Sequence, residues 1–320
     1  RPCLSCNQMC WGRRSRDYWI SCLVNPTTGR EFEWGGDRFK KKSTPKKILI
    51  VGGGPAGLEA ARVAAEMGHM VTLAEARDNL GGQFRLAGMQ PRRGQIIDFL
   101  DWYLNQLSKL KVDIKLNTLI DAQYIKKFSA DTTIIATGSY PNNTGFQKAI
   151  PHLEKLPGIE LGNVFSAEDV MARRARLGNK ILIIDEGGNW KGCGTAWKLA
   201  EDGHKVTLIT PDPLVGKELQ RTTADYPLRQ RLAKLGVNFF LESSITKWEK
   251  GGAEITSFLD GKSQTIEAES LVYATTNIAE DSLSLELQDS GMNIISIGDC
   301  VSPRSAPFVI YEGHRIGLEL

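Results

Sequence analysis

This chain of 320 residues has few histidines and only a small net charge, and it has no long apolar run. No apolar stretch approaches the roughly 18 residues that a membrane-spanning helix needs, and no segment resembles a secretory signal. We therefore expect a cytoplasmic protein that does not enter a membrane. The formal net charge is only +3, so we expect no nucleic-acid partner. The four histidines are scattered; we interpret them as surface or cap residues and assign no catalytic acid or base.

The chain also lacks a C-x-x-C pair beside its nucleotide-binding turns, which argues against a dithiol–disulfide reductase. Four of its six cysteines instead lie near the start of the sequence, with the spacing C-x2-C-x3-C-x11-C. This spacing suits a 4Fe-4S cubane, which takes one thiolate per iron. Structural zinc is the alternative, but its usual signature is two C-x2-C pairs and this segment has one. The predicted ligands are Cys3, Cys6, Cys10 and Cys22.

A glycine-rich turn between an apolar strand and a helix predicts a dinucleotide site. Residues 48–51 predict a buried strand, residues 52–57 read Gly-Gly-Gly-Pro-Ala-Gly, and residues 58–66 have helical character. A second strand, 71–74, ends at an acid about 20 residues after the turn. The glycines permit close approach of a pyrophosphate, the helix N-terminus stabilises its charge, and the acid binds the ribose hydroxyls. The predicted contacts are Gly52, Gly54, Pro55, Ala56, Gly57, Glu75 and Ala76.

Two later strands, 133–135 and 294–297, end in turns of small or acidic residues. This arrangement resembles the flavoprotein reductases with two dinucleotide domains, in which a late Gly-Asp pair holds the ribityl chain and phosphate of FAD. The resemblance implies that Asp299 contacts FAD and that residues 81–83 line the path towards the isoalloxazine. The contacts predicted in this way are Gly82, Gln83, Ala136, Thr137, Gly138, Gly298 and Asp299.

A second strand–turn–helix–strand unit spans residues 179–209, and its turn is unsuited to a nicotinamide nucleotide. Asp185 stands where the first glycine should follow the strand, and the loop 186–192 carries a further carboxylate and a tryptophan. Carboxylates at this position would repel a pyrophosphate. The second strand of the unit also ends in Thr210 rather than an acid. We interpret this unit as a degenerate, structural nucleotide fold, with intact NAD(P)H binding as the open alternative.

The segment around the cysteines carries a more specific resemblance. Residues 1–8, Arg-Pro-Cys-Leu-Ser-Cys-Asn-Gln, and residues 22–26, Cys-Leu-Val-Asn-Pro, resemble the cluster segment of the 2,4-dienoyl-CoA reductase and trimethylamine dehydrogenase family, a branch of the old yellow enzymes. Members of that family carry an FMN-binding TIM barrel before this segment, and the substrate reacts at that FMN. The resemblance therefore implies a barrel as a separate subunit or as another part of a longer protein, and we expect an oligomer.

The two branches of the family run electrons in opposite directions. In the reductases NADPH reduces FAD and electrons reach FMN through the cluster, whereas in the amine dehydrogenases electrons leave FMN through the cluster for electron-transferring flavoprotein. Some of the dehydrogenases hold ADP in place of FAD. The Gly-Gly-Gln-Phe of residues 81–84 resembles the FAD-holding reductases, while the Asp185 loop resembles the dehydrogenases.

The resemblance and the motifs together predict a flavin and iron–sulfur oxidoreductase component that relays electrons, in the amine-oxidising or demethylating direction. The alternatives are an NAD(P)H-dependent enoyl reductase, a non-catalytic electron-transfer subunit and a subunit like the small one of glutamate synthase. The predicted fold is α/β, with two Rossmann-like domains after a small iron–sulfur segment. The predicted boundaries are 1–44 for the cluster segment, 45–145 plus 288–320 for the FAD or ADP domain, and 146–287 for the NAD(P)-like domain.

Overall fold

A computed structural model describes residues 1–36 and 39–320. Residues 37 and 38 of the predicted cluster segment lie outside the described residues. The first elements in chain order are α1 Trp11–Arg14, α2 Glu31–Trp34, β1 Lys47–Val51, α3 Pro55–Glu66, β2 Met70–Ala74, α4 Gly82–Gly88, α5 Gln95–Lys109, β3 Asp113–Lys115, α6 Ala122–Phe128, β4 Thr132–Ile135 and β5 Ser139–Pro141.

The remaining α-helices and β-strands begin at residue 164. They are β6 Val164–Ser166, α7 Ala167–Met171, β7 Lys180–Asp185, α8 Trp190–Glu201, β8 Lys205–Ile209, α9 Asp225–Lys234, β9 Asn238–Phe240, β10 Ser243–Glu249, β11 Gly252–Ser257, β12 Ser263–Glu267, β13 Ser270–Ala274, β14 Asn277–Ala279, α10 Ser282–Glu286, β15 Ile294–Ser296 and α11 Ala306–Glu319.

The chain divides into two compact units. Unit 1 contains Arg1–Gly88, Gln95–Tyr140 and Ile278–Leu320, and unit 2 contains Met89–Gly94 and Pro141–Asn277. The chain thus returns to unit 1 at Ile278, whereas the sequence analysis placed this return at residue 288. The loop Met89–Gly94 belongs to unit 2, which no sequence signal indicated.

Unit 1 is built on a five-stranded parallel sheet in the order β15-β4-β1-β2-β3. After Lys47, the central strand β1 is apolar and buried, as expected for a parallel strand covered on both faces. Its side chains alternate between two cores. Ile48 and Ile50 pack with residues of α3, α5 and α11, whereas Leu49 and Val51 pack with residues of α6 and α10.

Helices α3 and α11 of unit 1 approach each other closely. A Cβ atom built on Gly313 would lie 2.3 Å from the carbonyl oxygen of Ala56, and one built on Gly317 would lie 2.6 Å from Cβ of Val63. Only glycine leaves room for this contact. The cysteine segment also belongs to unit 1, because Leu4, Leu23 and Val24 are buried in the same apolar cluster as α3.

Unit 2 repeats the parallel design with the strand order β6-β13-β7-β8-β9 and adds an antiparallel sheet, β10-β11-β12. Along β7, Ile181 and Ile183 pack with α8 and α9, while Leu182 and Ile184 pack with the antiparallel sheet. The predicted pair of Rossmann-like folds is therefore present.

No helix in the described ranges is long and apolar enough to cross a membrane. The interpretation of all four histidines as surface or cap residues was wrong for His314, which is 0% exposed in the middle of α11. His69 is 6% exposed, and it lies at the C-terminal cap of α3, where its N–H donates to the carbonyl oxygen of Ala64.

Candidate functional site

The glycine turn of unit 1 leaves the N-terminus of α3 open. A Cβ atom on Gly52 would lie 2.2 Å from the carbonyl oxygen of Ala136, and one on Gly57 would lie 2.0 Å from the oxygen of Gly52, so both glycines are needed for the turn. Around Gly54, by contrast, nothing lies within 4 Å of such an atom. In the described part of the chain no side chain caps α3, so its first N–H groups face this open space.

The acid at the end of β2 reaches back to this turn. Glu75 is 9% exposed, and its Oε2 accepts the N–H of Gly53 at 2.8 Å while its Oε1 accepts the N–H of Arg77 at 2.9 Å. Each carboxylate oxygen keeps a further lone pair, so the group can still accept hydroxyl donors. The neighbouring Ala76 is exposed. Glu75 is therefore fixed beside the open helix terminus.

The other predicted contacts lie at the same carboxyl edge of the sheet, where ligands of open α/β folds bind. Gln83 Nε2 donates to the carbonyl oxygen of Ser139 at 2.6 Å, and the Ser139 hydroxyl donates to Asp299 Oδ2 at 3.1 Å. Ser139 was not predicted, although it directly follows the small-residue turn after β4. The predicted residues of this edge are Gly82 and Gln83 at the start of α4, Ala136, Thr137 and Gly138 after β4, and Gly298 and Asp299 after β15.

Two of these residues are already engaged within the protein. The N–H of Gly298 donates to Glu312 Oε2 at 2.7 Å, and Asp299 Oδ1 accepts the N–H of Arg304 at 3.0 Å. Burial raises the pKa of Asp299, and its hydrogen bonds oppose that rise only in part. The space around Gly138, whose φ is +86°, is open. A ligand at this edge would therefore meet Asp299 and the turn at Gly138.

The cysteine segment is folded by short-range backbone contacts. Ser5 and Asn7 adopt positive φ angles of 51° and 55°, which turn the chain tightly between the first three cysteines. The N–H of Ser5 donates to Cys3 Sγ at 3.3 Å. The N–H of Ser21 donates to the carbonyl oxygen of Met9 at 3.0 Å, which brings the residues before the fourth cysteine beside the third. All six cysteines are thiols.

The four predicted thiolate ligands do not converge on one point. Within residues 1–36 and 39–320, no group of three or more histidine, cysteine, aspartate or glutamate side chains is placed to hold a metal ion. A tetrahedral zinc site requires such convergence. A cubane binds each thiolate at a different iron and so needs ligands spread around a larger volume. Four thiol donors match the number of ligands that a cubane takes, and the assignment of these cysteines to a metal centre stays a prediction.

In unit 2, Asp185 occupies the turn that a pyrophosphate would need. Its carboxyl group is fully buried, and Oδ1 accepts the N–H groups of Gly187 and Gly188, both at 3.1 Å. Oδ2 accepts the thiol of Cys193 at 3.3 Å. A Cβ atom on Gly192 would lie 2.3 Å from Cγ of Asp185. The loop N–H groups that would cradle a phosphate are therefore bound to the protein's own carboxyl group.

The N-terminus of α8 is also covered from two sides. Asn189 caps the helix, because its side-chain oxygen accepts the N–H of Lys191 at 2.8 Å. Gln90, from the loop Met89–Gly94, donates to the carbonyl oxygen of Trp190 at 2.7 Å, and its side chain occupies the space beside Gly194. The N-terminus of α3 has no such side-chain cap among the described residues. The sequence analysis did not predict this role of Gln90, because Gln90 and Trp190 lie 100 residues apart along the chain.

Comparison with known proteins assigns the fold to a family. The family model described as pyridine nucleotide-disulphide oxidoreductase matches residues 35–122 and 96–306. These matches cover more than half of the chain, which therefore belongs to the pyridine nucleotide-disulphide oxidoreductase family.

Individual relatives match almost the whole chain. The cinnamate reductase of Clostridium sporogenes is 36% identical over 320 residues, which cover 99% of this chain and 45% of the reductase. The NADH oxidase of Thermoanaerobacter brockii is 31% identical, covering 100% of this chain and 48% of the oxidase. The structure of the 6-hydroxypseudooxynicotine amine oxidase of Pseudomonas geniculata N1 is similar with a TM-score of 0.92 at 28% identity, covering 99% of this chain and 48% of the oxidase.

This chain thus spans about half the length of these relatives. The resemblance predicted from the sequence is confirmed in its coarser form, since the relatives are oxidoreductases and include both a reductase and an amine oxidase. The iron–sulfur part of that resemblance stays a prediction.

The burial of Asp185 makes the stability of unit 2 depend on pH. Burial raises the pKa of Asp185 to about 7, although hydrogen bonds from Cys193 and the loop amides oppose the rise. A carboxyl group whose pKa is raised on folding stabilises the fold below its ordinary pKa near 4, and this stabilisation is lost as pH rises towards about 7. We expect wild-type Tm to fall relative to that of Asp185→Asn between about pH 4 and 7. Parallel Tm curves for the two proteins would contradict a raised pKa.

Proposed function

We propose that this chain is the electron-relaying part of a flavin and iron–sulfur oxidoreductase. FAD, or ADP in its place, binds at the carboxyl edge of the unit 1 sheet, and a 4Fe-4S cluster binds the four cysteines of the N-terminal segment. The contrast between the open N-terminus of α3 and the occupied turn at Asp185 carries this proposal. Bound there, flavin and cluster would together connect two-electron chemistry with one-electron transfer.

The residues of unit 1 suit a dinucleotide of the FAD type. The open N-terminus of α3 offers N–H donors to a pyrophosphate, and Gly54 leaves room for its approach. Glu75 presents carboxylate oxygens to the adenosine ribose beside the same turn. Asp299, held by Ser139 and by the Arg304 amide, presents a carboxyl group to a ribityl chain. ADP would use only the first two of these features.

The closed turn of unit 2 favours a partner other than NAD(P)H as the source of electrons. Asp185 places its carboxyl group against the loop amides, and Asn189 caps the helix where a pyrophosphate would bind. Electrons would then arrive from substrate oxidation and leave for an external carrier such as electron-transferring flavoprotein. This is the amine-oxidising or demethylating direction, and the similarity to an amine oxidase supports it.

A second candidate function is that of an NAD(P)H-dependent enoyl reductase, in which electrons flow in the opposite direction. The 36% identity to a cinnamate reductase and the 31% identity to an NADH oxidase favour it. In that case unit 2 would have to bind NAD(P)H despite Asp185. The two candidates therefore differ in whether a nicotinamide nucleotide reduces the flavin.

Substrate chemistry in either direction would take place on an FMN-binding barrel. The relatives are about twice as long as this chain, which supports a barrel fused to it or carried by a separate subunit. The described residues supply no catalytic acid or base of their own in this proposal. The roles of the chain are to hold cofactors, to fix the distance between them and to exclude water.

Replacement of Glu75 tests the nucleotide site. Glu75→Gln leaves one buried N–H, from Gly53 or Arg77, without an acceptor and removes the charge beside the ribose, so we expect ADP to bind about tenfold more weakly or worse. Isothermal titration of flavin-free protein with ADP measures this change. Asp78→Asn, an exposed acid of the same loop, is the matched control and should leave the affinity unchanged. Equal affinities for Glu75→Gln and wild type would count against the site.

Replacement of Cys6 tests the cluster. Cys6→Ser removes one of four thiolates, so we expect the purified variant to lose its iron and the visible absorbance of the cluster while flavin content stays at the wild-type level. Iron analysis and absorption spectra provide the measurement. Cys193→Ser, a buried thiol on α8 of unit 2, should retain the iron. Full iron content in Cys6→Ser would refute the assignment of the cysteines.

A further inference from the structure

A buried carboxylate in the middle of α3 is the centre of an ionic network that the proposed chemistry does not use. Glu59 is fully buried, and it receives the guanidinium of Arg62 at 2.8 Å and the hydroxyl of Tyr103 at 2.9 Å. Its Oε1 also lies 2.6 Å from Nδ1 of His314 on α11. These contacts join α3, α5 and α11. Four partners for one carboxylate exceed what helix packing alone requires.

The fourth partner of Glu59 comes from the cysteine segment. Arg1 NH2 lies 2.7 Å from Glu59 Oε1, and its NH1 donates to the carbonyl oxygen of Val24. The guanidinium also stacks over Trp102, 5.0 Å from the ring centroid. Arg1 lies two residues before Cys3, and Val24 lies two residues after Cys22. One guanidinium therefore ties both ends of the cysteine segment to α3.

The surroundings of Glu59 favour its charged form. Burial alone would raise the pKa of Glu59, but the guanidinium groups of Arg62 and Arg1 and the bond from His314 hold it well below its ordinary value. Burial lowers the pKa of His314, and the Glu59 carboxylate opposes this effect only in part. The side chain of Arg1 is 14% exposed and that of Glu59 is 0% exposed. Solvent therefore screens this pair weakly.

We propose that the Arg1–Glu59 ion pair positions the cysteine segment on α3 and helps to set the reduction potential of the group that the cysteines bind. This proposal rests on the proposed function, because it requires a cluster in the segment. Net charge near an iron–sulfur cluster is one of the factors that set its potential. Positive charge stabilises the reduced cluster, which carries one more electron. Arg1 and Glu59 are therefore positioning residues with opposite effects on that potential.

Single replacements of the two partners should shift the cluster potential in opposite directions. Arg1→Met removes the cation and keeps the buried carboxylate, so the midpoint potential falls. Glu59→Gln leaves Arg1 without a carboxylate partner and Arg62 with Glu66 alone, so the midpoint potential rises. The double variant, which removes the pair, should lie between the two single variants. Simple loosening of the segment would instead admit water in both single variants and shift them the same way.

Anaerobic redox titration of the purified protein, followed by absorbance and by the paramagnetic signal of the reduced cluster, measures these potentials. Arg14→Met is the control, because Arg14 lies in the same segment but its side chain is 65% exposed and screened by solvent. We expect a small shift for it. Hydrogen exchange supplies a second readout: Arg1→Met should speed exchange in residues 1–26, while Arg14→Met should not.

The outcomes separate this proposal from the proposed function. Wild-type protein without iron would overturn the proposed cluster and with it this proposal. Iron-loaded variants whose potentials stay at the wild-type value, or shift in one common direction, would overturn the role of the ion pair and leave the cluster intact. If Glu59→Gln does not fold because the buried guanidinium groups of Arg1 and Arg62 lose the Glu59 carboxylate, the Arg1→Met variant alone decides between the outcomes. Its potential must fall and its exchange in residues 1–26 must rise.

Discussion

A carboxyl group bound to the backbone N–H groups of a strand–helix turn distinguishes the two halves of this protein. In unit 1 the carboxylate is Glu75, which comes from the neighbouring strand, takes the Gly53 amide and leaves the start of α3 open. In unit 2 it is Asp185, which comes from the strand that leads into the turn and takes the amides of Gly187 and Gly188. The same interaction thus leaves the start of the helix open in one fold and fills the turn in the other.

Local sequence predicted the parts of the structure that depend on local geometry. The apolar strands, the glycine turn and the acid at its proper spacing are short-range features, and the structure contains them where they were expected. The mismatch at Asp185 was also visible, since an acid there conflicts with phosphate binding. The hydrogen bonds from the Gly187 and Gly188 amides to its carboxyl group could not be predicted, because they depend on the path of the loop.

Long-range contacts could not be predicted from one sequence. Glu59 and His314 lie 255 residues apart along the chain, and Gln90 and Trp190 lie 100 residues apart. His314 was wrongly interpreted as a surface residue because no local pattern distinguishes a buried histidine from an exposed one. The buried charges of the Glu59 network cost desolvation energy, so we assign them a positional role rather than a gain in stability. In our proposal they hold the cysteine segment and α3 in one arrangement.

We propose that the turn before α3 in unit 1 binds a flavin nucleotide, whereas the Asp185 turn of unit 2 does not accept a nicotinamide nucleotide. An anaerobic visible spectrum of the flavin-loaded protein, recorded before and after addition of NADH or NADPH, tests it most directly. The account predicts that the flavin band remains, because Asp185 already binds the amides that a pyrophosphate would need. Bleaching of the flavin band on addition of either nucleotide would contradict the account and would favour the reductase direction.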